Sequence, residues 1–230
     1  MGSVLNIIKI GGNVIDNAEQ LEQFLEMFAA LQGKKILVHG GGKIATRVAS
    51  DLGIEAKMVD GRRVTDEAML DVVTMVYAGL TNKKIVSLLQ KFDCDALGLS
   101  GADGNAIKAV KRPVKEVDYG LVGDILVDSV NALSIKKFLE AGFTSVFSAI
   151  THNGLGQLLN TNADTIASAL AVSLSKIYET RLIYCFEKNG VLRDVEDPTS
   201  VIRIIKAGEF QELKSSRTIY EGMIPKLENA

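Results

Sequence analysis

Cysteine is scarce in this chain of 230 residues: only Cys94 and Cys185 occur, far apart and without paired spacing. That excludes a disulfide framework and a cysteine zinc site, and because both lie in apolar strand-like runs, packing is their expected role. A surplus of one charge is also lacking. With 26 Lys and Arg against 28 Asp and Glu, the net charge is −2 and the pI about 5.8, which argues against a general nucleic-acid or anionic-membrane surface. No apolar run is long enough to span a bilayer, and the first residues do not follow the basic-then-apolar plan of a signal peptide. A cytoplasmic protein is expected. A P-loop is missing too, since Gly42-Lys43 is followed by isoleucine without the earlier glycine spacing. The histidines, His39 and His152, lack metal-ligand spacing and are read as structural.

What is present begins with Asn6-Ile7-Ile8-Lys9-Ile10-Gly11-Gly12. Valine, leucine and isoleucines from Val4 to Ile10 suit a strand covered on both faces, yet Lys9 stands near its end. An ammonium there needs water, an anion or a carboxylate, because an unpaired buried charge costs several kcal/mol or loses its proton. The glycines that follow bring bare N–H groups to the same corner, so it reads as a phosphate-binding turn; the plainer reading is an edge-strand lysine before an ordinary turn. Leu21, Phe24, Leu25, Phe28 and Leu31 then recur at helical spacing, and Lys35 to His39 returns as a strand. Strand, helix, strand at this length is a right-handed βαβ unit with parallel strands. The fold class is therefore α/β, a three-layer αβα sandwich with a mainly parallel central sheet. Gly40-Gly41-Gly42 closes the second strand and opens a helix through about Leu52, aiming helix N–H groups into the corner of Gly11 and Gly12.

Further along, Ala56 to Thr65 holds a short strand and the Asp60-Gly61-Arg62-Arg63-Val64-Thr65 turn, whose arginine suits a carboxylate or a solvated surface pair. Met69, Val72, Val73, Val76 and Leu80 mark one helix and a second follows to about Phe92; the stripe, with Tyr77, serves a core or a dimer. Cys94 to Leu99 is a strand ending at Ser100-Gly101-Ala102-Asp103-Gly104, and Ile107–Val110 with Leu121–Val127 form a hairpin-like excursion. A helix from about Ser134 and a strand at 145–147 restore the alternation. At Asn160-Thr161-Asn162-Ala163-Asp164 a short strand hands over to the helix Ile166–Leu174. Capping by Asn162 or Thr161 with a dipole-favoured Asp164 explains some of these polar groups, but a simple cap does not require so many of them. Arg181 to Phe186 is the next strand, Lys206 to Leu213 a short helix, and Tyr220 begins a last element.

Parallel strands present their carboxyl ends on one side, where ligands of open α/β sheets bind, and Lys9–Gly12, His39–Gly42, Asn160–Asp164 and Glu187–Gly190 are all expected there. Lysines, bare amides and a central carboxylate suit the charge of a phosphoryl group in flight. A competing reading uses Gly40, Gly42 and Ala45 as a loose dinucleotide fingerprint with Asp60 on the ribose of NAD(P), but it gives Lys9 no task. A catalytically silent regulatory subunit on the same fold is a further alternative.

Taken in order, Ile8-Lys9-Ile10-Gly11-Gly12, Val38-His39-Gly40-Gly41-Gly42, Gly61-Arg62-Arg63-Val64-Thr65, Gly98-Leu99-Ser100-Gly101-Ala102-Asp103-Gly104, Leu121-Val122-Gly123-Asp124, Leu159-Asn160-Thr161-Asn162-Ala163-Asp164 and Gly222-Met223-Ile224-Pro225-Lys226 carry a resemblance. Together they resemble the amino acid kinase family, in the branch that acts on N-acylated glutamate, across nearly the whole chain. The resemblance implies the amino acid kinase fold and transfer of the γ-phosphoryl of Mg-ATP to the side-chain carboxylate of N-acetyl-L-glutamate, or of its N-succinyl analogue, in arginine or ornithine synthesis. It also implies roles. Lys9 and Lys226 stabilise the transferring group, Asp164 holds both ammonium groups, and the amides of Gly11 and Gly12 meet phosphate oxygens. Gly41, Gly42, Arg63 and Asn160 bind the amino acid, Arg63 taking its α-carboxylate. Glu187, Gly190, Val191, Leu192, Thr218, Ile219 and Tyr220 fall where the family holds ATP, with Mg2+ carried mainly by the nucleotide phosphates. Residues 1–176 would form the amino-acid lobe with a dimer contact, and 177–230 the nucleotide lobe. Phe186-Glu187-Lys188-Asn189 departs from the usual Thr/Ser-Asp-Val pattern, and Glu221 replaces a usual aspartate. The chain ends at Ala230, short of the last elements such kinases carry, and begins almost at the first strand, as in arginine-insensitive homodimers.

Overall fold

The computed structural model describes residues 3–59, 61–194 and 196–216, together with 223 and 227–228. Its centre is a five-stranded sheet built from β1 (Val4–Ile10), β2 (Lys34–His39), β5 (Ala96–Leu99), β8 (Thr144–Ser148) and β11 (Glu179–Cys185) in the order β11-β1-β2-β8-β5. Every pairing in it is parallel. The helices needed to cross back between parallel strands form its two covers. Alternation along β1 sends Ile8 and Ile10 to the face of α2 (Ala18–Ala30) and α5 (Asn82–Lys91), where they meet Leu21, Leu25, Phe28, Ile85 and Leu89. Leu5 and Ile7 go to the other face, against α6 (Ala132–Glu140) and α7 (Ala163–Leu174) through Ile135, Ile166 and Leu170. Lys9 shares that second face by the same period of two, which aims it at the start of α7.

Two short helices begin where β1 and β2 end: α1 (Gly12–Asp16) and α3 (Gly42–Asp51). Lys43 at the start of α3 ties them together, reaching Asn13 and lying 3.7 Å from Asp16. After α3 come a two-residue ribbon, β3 (Met58–Val59) with β4 (Arg62–Arg63), and then α4 (Glu67–Val73). Where the apolar spacing suggested two helices, one unbroken helical run reaches from α4 through α5, its middle turns at Thr74–Thr81 widened into π geometry. Bulky Val76 and Tyr77 are buried within those turns.

A second sheet accounts for the hairpin-like excursion and corrects one expectation. Its order is β6 (Val110–Lys111), β7 (Val122–Asp124), β10 (Leu158–Thr161) and β9 (Ile150–His152). β10 runs parallel to β7 and antiparallel to β9. Asn160 to Asp164 therefore leaves a strand of this mixed sheet, not of the central one. The error has a plain cause, because a four-residue strand does not reveal which neighbour it pairs with. The two sheets meet at Ala149, the single residue between β8 and β9, whose carbonyl accepts the Thr161 N–H at 3.0 Å. Last, α8 (Ala207–Ser215) follows an irregular stretch in which Leu192 pairs with Val201.

Candidate active site

The Lys9 side chain is only 11% exposed, and its Nζ lies 2.7 Å from Oδ1 of Asp164, itself 12% exposed. Each charge offsets the desolvation of the other, and the ammonium keeps donors for a ligand. Asp164 reaches this place because Asn162 caps α7, its side chain accepting from the Thr165 N–H at 3.0 Å. The cap reading thus holds for Asn162, with Asp164 in the first turn of α7, but not for Thr161. Thr161 instead shares a 2.7 Å hydrogen bond with Thr151, and Asp164 turns to the lysine. Tyr184, opposite Lys9 in the β1–β11 register, donates its hydroxyl to the Asp164 carbonyl at 3.3 Å. Burial, and then the Asp164 charge, push that phenol well above its ordinary range, so it stays neutral.

A second cluster lies around the glycine turn after β2. Arg63 is buried, and its Nη2 donates to the Gly42 carbonyl at 2.9 Å and to Thr46 Oγ1 at 2.7 Å. Its Nη1 faces Met69 Sδ at 3.9 Å, and Nε is buried without a partner. Among the described residues no ion pair includes Arg63. A buried guanidinium served only by neutral acceptors is a site for a carboxylate or phosphate. Gly41 has φ +155, and a Cβ there would stand 3.0 Å from the Tyr77 ring, so the turn is both backbone-restricted and packed shut on that side. Burial pushes the Tyr77 phenol up while the neighbouring Arg63 pulls it down.

Asn160 joins the clusters through Thr65. Its Nδ2 donates to Thr65 Oγ1 at 3.0 Å, and that hydroxyl donates to the Arg63 carbonyl at 3.2 Å. The backbone continues the link: Thr65 N–H to Tyr119, Leu121 N–H to Thr65, and Asn160 N–H to Leu121, at 2.9, 2.6 and 3.0 Å. Gly120 permits it, since with φ +72 a Cβ would fall 2.3 Å from the Thr65 carbonyl oxygen. Arg112 closes the nearby loop with a two-point grip on Asp124, Nη2 to Oδ1 at 2.6 Å and Nε to the same oxygen at 3.0 Å.

Of the nucleotide-side residues, Gly11 donates its N–H to the Cys185 carbonyl at 2.9 Å, so that amide is engaged within the protein. The Gly12 N–H opens α1, where first-turn donors lack intrahelical partners. Glu187 is exposed, Gly190 and Val191 are half-buried and Leu192 is buried. They follow β11 beside Gly11, and the Val191 carbonyl accepts the Ile202 N–H at 2.7 Å. Lys226, Thr218, Ile219 and Tyr220 lie outside the described residues, as do Asp60 and Glu221. The sequence reading missed Thr46, Thr65 and Tyr77. Thr46 and Tyr77 sit inside helical runs whose pattern explains them without a site, and only the Val64-Thr65 end of the arginine turn held a signal.

An ion pair at a strand end, exposed helix N–H groups and an uncompensated arginine can together bind a ligand with several negative charges. Residues 5–230 match the model of the amino acid kinase family. The chain belongs to the amino acid kinase family. It is similar to the acetylglutamate kinase of Cytophaga hutchinsonii, with 55% identity over 98% of this chain and 85% of the relative. To the acetylglutamate kinase of Phocaeicola vulgatus the identity is 53%, over the whole of this chain and 89% of the relative. Among solved structures, smu.665 from Streptococcus mutans UA159 superimposes with a TM-score of 0.77 at 26% identity, over 98% of this chain and 88% of that one. The N-acetylglutamate synthase of Neisseria gonorrhoeae, complexed with coenzyme A and L-arginine, shares the fold alone, with a TM-score of 0.75 at 20% identity over 99% of this chain and 52% of that one.

Proposed function

We propose that this chain is an amino acid kinase that transfers the γ-phosphoryl group of ATP to the side-chain carboxylate of N-acetyl-L-glutamate, forming N-acetyl-L-glutamyl 5-phosphate in arginine biosynthesis. The observation that carries the reading is the 2.7 Å contact between Lys9 and Asp164. The names and identities of the relatives support the acceptor, and the family supports use of ATP. A carboxylate acceptor, with a pKa of about 4.3, is ionised at neutral pH, so no general base is needed and catalysis reduces to positioning and charge stabilisation. Lys9 meets the negative charge that builds on the transferring group, with Lys226 as its counterpart, and Asp164 fixes the ammonium. Arg63 takes the α-carboxylate, with Gly41, Gly42 and Asn160 lining the acceptor side. Gly12, and Gly11 through its close backbone, face the nucleotide phosphates, and Glu187, Gly190, Val191 and Leu192 line the nucleotide side, to which the family resemblance also assigns Thr218, Ile219 and Tyr220. In this reading residues 1–176 serve the acceptor and 177–230 the nucleotide. Among the described residues no group of three or more His, Cys, Asp or Glu could hold a metal ion. In this reading magnesium is carried mainly by the phosphates of the Mg-ATP substrate.

We further infer a cytoplasmic homodimer, with the exposed Met75 and Leu80 of the long helical run as contact candidates; no described helix is long and apolar enough to cross a membrane. Trapping the acyl phosphate as a hydroxamate tests the reaction, with N-acetyl-L-glutamate and N-succinyl-L-glutamate assayed side by side to define the acyl group. If only aspartate, carbamate or a nucleoside monophosphate gives product, the acceptor assignment is wrong. Titration with ATP against NAD(P) separates the kinase from a dinucleotide-binding reading of Gly40–Ala45.

A further inference from the structure

Thr46 is the side chain around Arg63 for which neither the reaction nor the fold demands a hydroxyl. It lies on α3, four residues after Gly42, and donates to the Gly42 carbonyl at 3.0 Å. That bond alone is ordinary, because a helical threonine often bonds back to the carbonyl four residues earlier. Such back-bonding does not explain the third group. The same oxygen accepts from Arg63 Nη2 at 2.7 Å, while Nη2 also donates to the Gly42 carbonyl at 2.9 Å. Three atoms from two segments, α3 and β4, thus close a triangle. It uses the single hydroxyl proton in one direction and both Nη2 protons in the others.

The rest of the guanidinium has the Tyr77 hydroxyl beside it and only weak acceptors otherwise. Nη1 has the weak thioether acceptor of Met69 at 3.9 Å, and Nε has no partner. Thr46 itself is exposed, so without its oxygen one Nη2 proton keeps only water as a replacement acceptor and the planar group is free to turn. A carboxylate contact made through Nε–H depends on the angle at which that plane is held.

Resting on the acceptor reading above, we infer that Thr46 is a positioning residue for the acceptor subsite. Its hydroxyl locks the Arg63 guanidinium to the Gly42 carbonyl, so that the unpartnered Nε–H is held towards one oxygen of the α-carboxylate of the N-acylated amino acid. Thr46 acts through Arg63.

The experiment compares wild type, Thr46→Val and Thr46→Ser, all as full chains. The acceptors are N-acetyl-L-glutamate and 4-acetamidobutyrate, which is the same molecule without the α-carboxylate. Thr46→Val is expected to raise the KM for N-acetyl-L-glutamate about tenfold, the scale of one hydrogen bond to a charged group, while the KM for ATP and kcat stay within about twofold. Thr46→Ser, which keeps the hydroxyl, is expected to restore the wild-type KM. With 4-acetamidobutyrate the wild type and Thr46→Val should not differ. In an Arg63→Lys background Thr46→Val should add nothing further, and this arm uses Thr46→Ala in place of Thr46→Val if the valine does not fold. An unchanged acceptor KM in Thr46→Val, or an equal rise for ATP or for 4-acetamidobutyrate, overturns the inference and leaves the acceptor reading standing. A wild type that treats the two acceptors alike overturns the acceptor reading and the inference with it.

Discussion

The Lys9 and Asp164 side chains are almost wholly buried, so each is tolerable mainly because of the other. Asp164→Ala leaves an ammonium in a poorly hydrated place and should destabilise the fold by about 3 kcal/mol, read as a fall in the urea midpoint. Combining it with Lys9→Met, which removes the stranded charge, should recover much of that loss. An Asp164→Ala chain as stable as wild type would show the pair to be better hydrated than its burial indicates. Activity behaves differently. Lys9→Ala should lower turnover by about a hundredfold or more while the far-ultraviolet spectrum is unchanged, because a donor aimed at developing charge acts mainly in the transition state. At this scale the sequence was legible wherever a residue was out of place in its own pattern: a lysine in an apolar strand, an arginine in a glycine turn, an aspartate in the first turn of an apolar helix. Thr46 and Tyr77 were not legible, since both sit inside continuous helical runs and only the approach of Arg63 gives them further partners.

Among the elements, β2 carries a polar core group whose behaviour depends on pH. His39 is fully buried at the end of that strand, with Nδ1 2.8 Å from the Gly40 carbonyl and Nε2 3.0 Å from the Asn82 amide nitrogen. Those contacts describe a neutral ring that donates from Nδ1 and accepts at Nε2. Burial pulls the imidazole down to about 4, from an ordinary value of 6.5. The unfolded chain therefore takes up a proton first as pH falls. Stability should be complete above about pH 6.5 and decline towards pH 4, by about 3 kcal/mol from this group. Denaturant midpoints between pH 7.5 and 5 measure the slope, and His39→Gln should flatten it; an equal slope in the variant would place the titration elsewhere. The strands and helices with a clear period were legible at this scale, including the βαβ start and the helix after Asn162. The π turns were not. An eight-residue widening preserves an apolar stripe while shifting its phase, so it reads as the join between two helices.

For the whole molecule, the acceptor side is assembled from separate sheets, and a chain of backbone bonds runs alongside the side-chain ones that join them. Thr65, Leu121 and Asn160 donate in sequence between the arginine turn, the hairpin loop and β10. Their amides should gain hydrogen-exchange protection together when the acceptor binds, whereas the β1 and β2 amides, already interior, should change little. Protection at one of the three without the others would mean that they open independently. Gly120→Ala should weaken acceptor binding from outside the pocket, because its Cβ would collide with the Thr65 carbonyl oxygen. The central sheet was legible from the chain order, but the second sheet was not, because its strands of two to four residues offer too few alternations to assign a face or a partner.

Ala149 gives the molecule a joint without slack. One residue separates the last bond of the central sheet from the first of its neighbour, and its carbonyl also anchors the strand that delivers Asp164. A single glycine inserted there would slip the register by one position, turning the side chains beyond it to the opposite face. The lysine and its aspartate would then be built on scaffolds out of step, in a chain whose composition was otherwise untouched.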